Sequence, residues 1–287
     1  MNEPLQSNSS RTQGEDRRLA TIRGLLAKAE ATEFPDEAEL FFAKASELIS
    51  RWAIDEAMLW QGTDTTGREQ PDELQLVVFS PYLTQKAVLI GAVAAAHGCR
   101  TVRLAGGKND GVGNNGGGNN GGGNKGSEVV SVVGFPSDLR WVDTLVTSLL
   151  LQLTSAMLSQ CPKGVSPSAT ASWRRSFIIG YAEEVGSRLE QDRVAAATAK
   201  NAASAEQSGT AKQSEHAQLN MPPSVAMVLA TRSAEVQEEF RRRHPRVRSS
   251  WASSGRSASG RQAGQRAGKE ASLTRGGIGH RPGLGTG

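Results

Sequence analysis

The run EVVSVVG (Glu128–Gly134) passes through Phe135 directly into PSDLRWVDTLVTSLLLQLTSAMLSQ (Pro136–Gln160), and the fold class turns on that passage. The first part is a short apolar run of the kind that forms strands. In the second, Leu139, Val142, Leu145, Val146, Leu149, Leu150, Leu153 and Met157 recur at helical spacing, so the sequence predicts a strand feeding a long helix. Upstream, Leu74, Leu76 and Val78 alternate with Gln75, Val77 and Phe79, a half-buried strand. Gln85–His97 reads as a helix rich in small residues, and Cys99–Leu104 as another strand. Residues 106–127, nearly all Gly and Asn, read as an expanded hairpin loop between two strands. Downstream, Ser172 to about Lys200 carries Trp173, Phe177, Ile178, Tyr181, Val185 and Leu189 on a helical stripe. Residues 202–223 read as a polar linker, Val225–Ala230 as a last strand, and Ser233–His244 as a last helix. The expected class is α+β: residues 72–244 form a small, mainly antiparallel sheet with helices on one face.

Ahead of this lies a helical module at residues 15–61, preceded by a polar stretch, 1–14, expected to be disordered. Leu19, Ile22, Leu25, Leu26 and Ala29 share one face, with Arg17, Arg18, Arg23 and Lys28 mostly opposite. Pro35 presets a first helical turn, and Asp36 and Glu37 suit its positive end. Ala38, Phe41, Phe42, Ala45, Leu48, Ile49 and Trp52 then form a second stripe, and Ile54–Trp60 a short third element, giving a helical hairpin or three-helix module. Gly62–Pro71 reads as a linker. The runs IRGLLAKAE (Ile22–Glu30), FPDEAE (Phe34–Glu39), Ala43-Lys44-Ala45 and ISRWAID (Ile49–Asp55) resemble the family catalogued as domain of unknown function 2786. The resemblance implies kinship with actinobacterial-type members and brings no activity with it.

The chain has 287 residues, of which 37% are hydrophobic and 5% aromatic, with 32 glycines. So lean a composition implies that about two-thirds of the chain folds, the rest being loops and tails. Two cysteines, Cys99 and Cys161, are too few for a disulfide framework or a four-cysteine zinc site. The beginning lacks an apolar core of a signal peptide, and the apolar runs are too short or interrupted to span a bilayer. A reducing cytoplasm and no membrane are therefore expected.

Local chemical motifs are weak. GVGNNG (Gly111–Gly116) matches a dinucleotide fingerprint in letters only, because it leads to a strand rather than opening a helix. His97 and Cys99 stand two apart without further ligands, and His97 before Gly98 reads as a helix C-cap favoured by the negative helix end. Adjacent acids such as Glu183 and Glu184 diverge by about 100° on a helix and cannot share a proton. Trp173-Arg174-Arg175 would suit base stacking, but its aromatic spacing reads as core. No catalytic residue, cofactor or metal ligand is assigned, and the balance leans away from an enzyme.

Charge is the one asymmetric feature. Of 33 Lys/Arg and 29 Asp/Glu, 11 cations and one acid lie from Arg241 onward, so a body of net −6 carries a tail of about +10. Residues 245–287 read as a disordered basic Gly/Ser/Arg tail. Arg241, Arg242, Arg243, Arg246, Arg248, Arg256, Arg261 and Arg266 are the expected contacts to a nucleic-acid backbone. Three other readings compete: a solubilising tail, an arm that seeks the body's own acids, and a short element packed through Gly255, Ser259, Gly260, Gly264 and Gly268. The favoured function is a non-enzymatic binding or adaptor protein, with non-specific nucleic-acid contact through the tail and a protein partner for the N-terminal module. Trp52, Trp60 and Phe41 would be module core, and Arg17, Arg18 and Arg23 candidate contacts. The alternatives are an enzyme with its site between sheet and helices, and a structural oligomer built through Pro136–Gln160.

Overall fold

Proline at the start marks two of the long helices of the protein. Pro35 opens α2 (Pro35–Gly62) and Pro136 opens α4 (Pro136–Gln160), each preceded by an extended phenylalanine, Phe34 or Phe135, that makes no side-chain cap. The computed structural model describes residues 14, 16–25, 27–28, 32, 34–104, 126–209, 224–247, 252 and 254–271. In chain order, α1 (helical at 16–25 and 27–28) precedes α2; then come β1 (Asp72–Phe79), α3 (Leu83–Ala96), β2 (Arg100–Leu104), β3 (Ser127–Gly134), α4, α5 (Pro167–Gly209), α6 (Val225–Arg243) and α7 (Ala258–Lys269). The α+β class and the antiparallel sheet are as read from the sequence.

The sheet has the order β1-β3-β2, with both pairings antiparallel. Asp72 faces Gly134 and Phe79 faces Ser127 on one side of β3, while Arg100 faces Val133 on the other. As the central strand, β3 is buried on both faces. Val130 and Val132 join a core with Leu89 and Ile90 of α3, Leu145 and Leu149 of α4, and Phe177 and Ile178 of α5. Val133 and Phe135 join Ala57, Trp60, Val228 and Val236 in a second cluster. Helices thus cover both faces, not one: α6 lies where open sheet surface was expected.

That difference has a local cause. Val225–Ala230 is not a strand but the first turns of α6, capped by Ser224, whose hydroxyl accepts from the Met227 N–H. Val225, Val228, Arg232 and Val236 are buried at helical spacing, and a six-residue apolar run fits both periods equally well. Likewise Ile54–Trp60 continues α2 without a break, so α1 and α2 form a hairpin. Helix α5 runs through to Gly209, consuming the first part of the expected linker.

Within the expected tail, residues 258–269 form α7, the packed element that the glycine spacing offered as an alternative. Gly260, Ala263, Gly264, Ala267 and Gly268 face α5, and the approach is close enough that a Cβ on Gly264 would sit 2.0 Å from the Phe177 carbonyl oxygen. Expectations for residues 1–13, the Gly/Asn loop at 106–125, the linker at 210–223, Arg248 and 272–287 fall outside the described residues. Among the described helices, α4 alone is long and apolar enough to cross a membrane, yet its Val142, Leu145, Leu149 and Leu153 are spent in the core.

Candidate ligand-binding chamber

Three helix faces and one helix end converge beside the second core cluster. On α5, Leu189, Arg193, Ala197 and Asn201 are spaced four apart and share a stripe; on α6, Ala226, Ala230, Ser233 and Val236 share one at spacings of four, three and three. Ser50, Ala53 and Ala57 of α2 face them, and His97 and Gly98 at the end of α3 close one side. Small side chains at 53, 57, 197, 226 and 230 cannot fill the space between the helices. What remains is a chamber of about 550 Å³, within the range of small-molecule sites.

Its polar wall comes from residues distant in sequence. Arg232, 4% exposed, donates through Nη2 to Asp138 Oδ2 at 2.8 Å and to Ser137 Oγ at 3.3 Å. Ser137 in turn donates to Glu69 Oε2 at 2.8 Å. The guanidinium lies 3.8 Å from the Phe135 ring centre and 5.6 Å from that of Trp60, both cation–π distances. Burial holds the Asp138 carboxyl above its ordinary range, against the opposing pull of Arg232. Two wall residues keep a polar atom out of water and without a hydrogen-bond partner: Arg232 Nη1 and His97 Nε2. Arg193, at the wall, grips Glu190 through a fork at 2.9 and 2.8 Å.

His97 does end α3, its N–H bonding back to Ala94 and Ala95 ahead of Gly98 at φ +72°. The expected charge–dipole attraction does not follow, however. Burial, with Arg193 second, depresses the imidazole to about 4, so the ring is neutral at pH 7. Cys99 is a thiol rather than a thiolate, since burial and then Asp138 push it well above the ordinary range. Among the described residues, no three His, Cys, Asp or Glu side chains gather as metal ligands.

The basic residues are dispersed. Arg242 forks onto Glu239, which its hydrogen bonds pull down to about 2, and Arg243 reaches Glu239, Asp72 at 3.1 Å and Glu73 at 3.4 Å. Arg261 forks onto Glu183 of α5. The arm that seeks the body's own acids therefore describes Arg243 and Arg261. Arg241, Arg246, Arg256 and Arg266 are exposed and without an ion pair among the described residues. Arg241–Arg246 gather at the end of α6, while Arg256 lies just before α7 and Arg261 and Arg266 lie on it. At the N-terminus, Arg18 turns inward to Glu56 at 3.3 Å and lies over Trp52 at 5.7 Å. Trp173, Phe177 and Tyr181 are core, as their spacing implied.

Sequence reading missed Arg232 and Asp138 entirely, because no short motif links positions 94 residues apart. Residues 17–56 match the model of the family described as protein of unknown function (DUF2786). That segment spans α1 and much of α2, including Ser50 and Ala53 of the chamber. No curated protein and no solved structure matches the chain.

Proposed function

We propose that the protein is a non-enzymatic binding protein and that the chamber between α2, α5 and α6 is its ligand seat. The observation that carries this is the chamber itself, about 550 Å³ of space that small side chains leave open beside the polar residues Arg232, Asp138, Arg193 and His97. Cys99 held as a thiol and His97 held neutral favour binding over nucleophilic chemistry. A cytoplasmic setting belongs to this reading and is supported by Cys99 and Cys161 being unpaired. The test is a fragment screen by ligand-observed NMR on the full chain and on Ala230→Trp, which fills the chamber from its exposed rim. Fragments that bind wild type and lose binding in the variant support the reading; a screen without such fragments overturns it.

Nucleic-acid contact through the basic C-terminal part is kept as a second reading, favoured by Arg241, Arg246, Arg256 and Arg266, which are exposed and have no ion pair among the described residues. A protein partner for the N-terminal module is favoured by Phe34 and Leu40, which are 66% and 71% exposed. Deleting the chain after residue 240 would strip α7 from α5, so the clean test replaces those four arginines with glutamine. If all four meet phosphates of duplex DNA, log K falls against log salt with a slope of about −3.6, and the quadruple variant abolishes it. Equal affinities for both proteins across a salt series would remove this reading.

A further inference from the structure

We infer that the protein forms a two-fold dimer in which the outer face of α4 packs antiparallel against the same face of a second copy. Val142, Leu145, Leu149 and Leu153 turn one side of α4 to the core. On the other side Thr147, Leu151, Thr154 and Leu158 are exposed, Leu151 at 47% and Leu158 at 57%. They step along the helix by four, three and four residues, the spacing of a coiled-coil seam. A solvated helix face ordinarily carries charge, yet residues 144–160 contain none. Thr154 turns its hydroxyl back to the Leu150 carbonyl at 2.8 Å, so its methyl group is what it offers to a neighbour. None of the four lines the chamber, and the inference stands apart from the ligand seat.

The seam is complementary to itself. A two-fold axis passing beside Gln152 and Leu153 sets Thr147 against the second copy's Leu158, and Leu151 against its Thr154. Each leucine thus meets a threonine, the alternation of large and small that lets two helices approach closely. The same register brings Asp143, at one end of the seam, level with the second copy's Pro162 and next to its Lys163. Asp143 and Lys163 are exposed and have no ion pair among the described residues, and two-fold symmetry repeats their match at the other end. A parallel pairing would instead set Asp143 against Asp143 and Lys163 against Lys163, like charges that oppose it.

The experiment is sedimentation velocity on the full chain over a concentration series from about 1 to 300 µM, where an interface of one helix per copy is expected to associate. The expected result is a monomer–dimer equilibrium. Leu151→Glu, at an exposed position that leaves the core intact, sets two carboxylates in the seam and raises the dissociation constant at least about tenfold. Met227→Glu, at an exposed apolar residue of α6, leaves the equilibrium unchanged. Asp143→Lys sets like charges at both ends and weakens the dimer several-fold, and adding Lys163→Asp restores it. A monomer throughout the series overturns the inference, as does a dimer that Leu151→Glu leaves intact. A dimer indifferent to Asp143→Lys, or one that Lys163→Asp fails to restore, overturns the antiparallel pairing.

Discussion

The Arg232 guanidinium binds Asp138 Oδ2 at 2.8 Å through Nη2 while its other terminal nitrogen, equally buried, meets no acceptor. An ion pair in such a place repays the desolvation of its two charges only in part. Removing one partner is therefore worse than removing both. Arg232→Met leaves a buried carboxylate and is expected to cost about 3–5 kcal/mol, whereas Arg232→Met combined with Asp138→Leu costs markedly less. Urea unfolding of wild type, both single variants and the double variant measures this. A double variant as unstable as the sum of the singles would show that the pair contributes no coupling.

His97 sets a pH dependence of known sign. Its folded value, about 4, lies below the ordinary 6.5, so between those limits the unfolded chain binds a proton that the folded protein refuses. Stability is full above pH 6.5, falls as pH drops toward 4, and loses about 3 kcal/mol from this residue. Asp138 and Glu235 are shifted upward, chiefly by burial, and act with the opposite sign, favouring the folded state as pH falls. Thermal unfolding of wild type and His97→Gln across pH 7 to 4 separates them. The variant is expected to lose much of the decline in that window, and parallel curves would contradict the assignment.

How far the sequence could be read differs from element to element. The β3–α4 passage was legible because a change of period coincides with Pro136, so pattern and backbone chemistry agree. The α7 packing was legible only as one option among four. Glycines four apart along a helix form a smooth face, but a Gly/Ser/Arg composition also suits a solvated tail. Val225–Ala230 was misread because the run is too short for one period to exclude the other. The chamber was illegible for a different reason. Its wall unites Asp138, Arg232 and His97 through tertiary contacts, and its volume arises from alanines, which look unremarkable in any sequence. His97 shows the limit most clearly, since its place at the helix end was foreseen and its neutral, buried ring was not.

The α5–α7 contact makes a sharp steric prediction. A Cβ on Gly264 would stand 2.0 Å from the Phe177 carbonyl oxygen, and one on Gly180 would stand 2.2 Å from that of Arg261. Neither neighbour is a flexible side-chain end, so the helices must part. Gly264→Ala is expected to destabilise by about 1–3 kcal/mol despite alanine's better helix propensity. Gly126, with open space around it, serves as the control, and Gly126→Ala should change little. Hydrogen exchange would show the loss as faster exchange in α7 before the rest of the core.

Arg188 supplies the last test, because its hydrogen bonds tie the carboxyl end of α7 to α5. Its Nη1 donates to the carbonyls of Gly268 at 2.7 Å, Lys269 at 2.8 Å and Ala271 at 3.1 Å. Those are oxygens that a helix end leaves unsatisfied, and a cation there also meets the negative end of the dipole. The neighbouring Arg261–Glu183 pair looks similar on paper, but both side chains are more than 40% exposed. Such exposed pairs contribute about 0–1 kcal/mol. Arg188→Ala is therefore expected to cost more than Arg261→Gln, by about 1 kcal/mol or more, and to fray the last turn of α7. Lysine at 188 keeps the charge, but its ammonium ends one bond short of the Nη1 position, so it should recover only part of the loss. Equal destabilisation by Arg188→Ala and Arg261→Gln in denaturant unfolding would assign the hold on α7 to its glycine face alone.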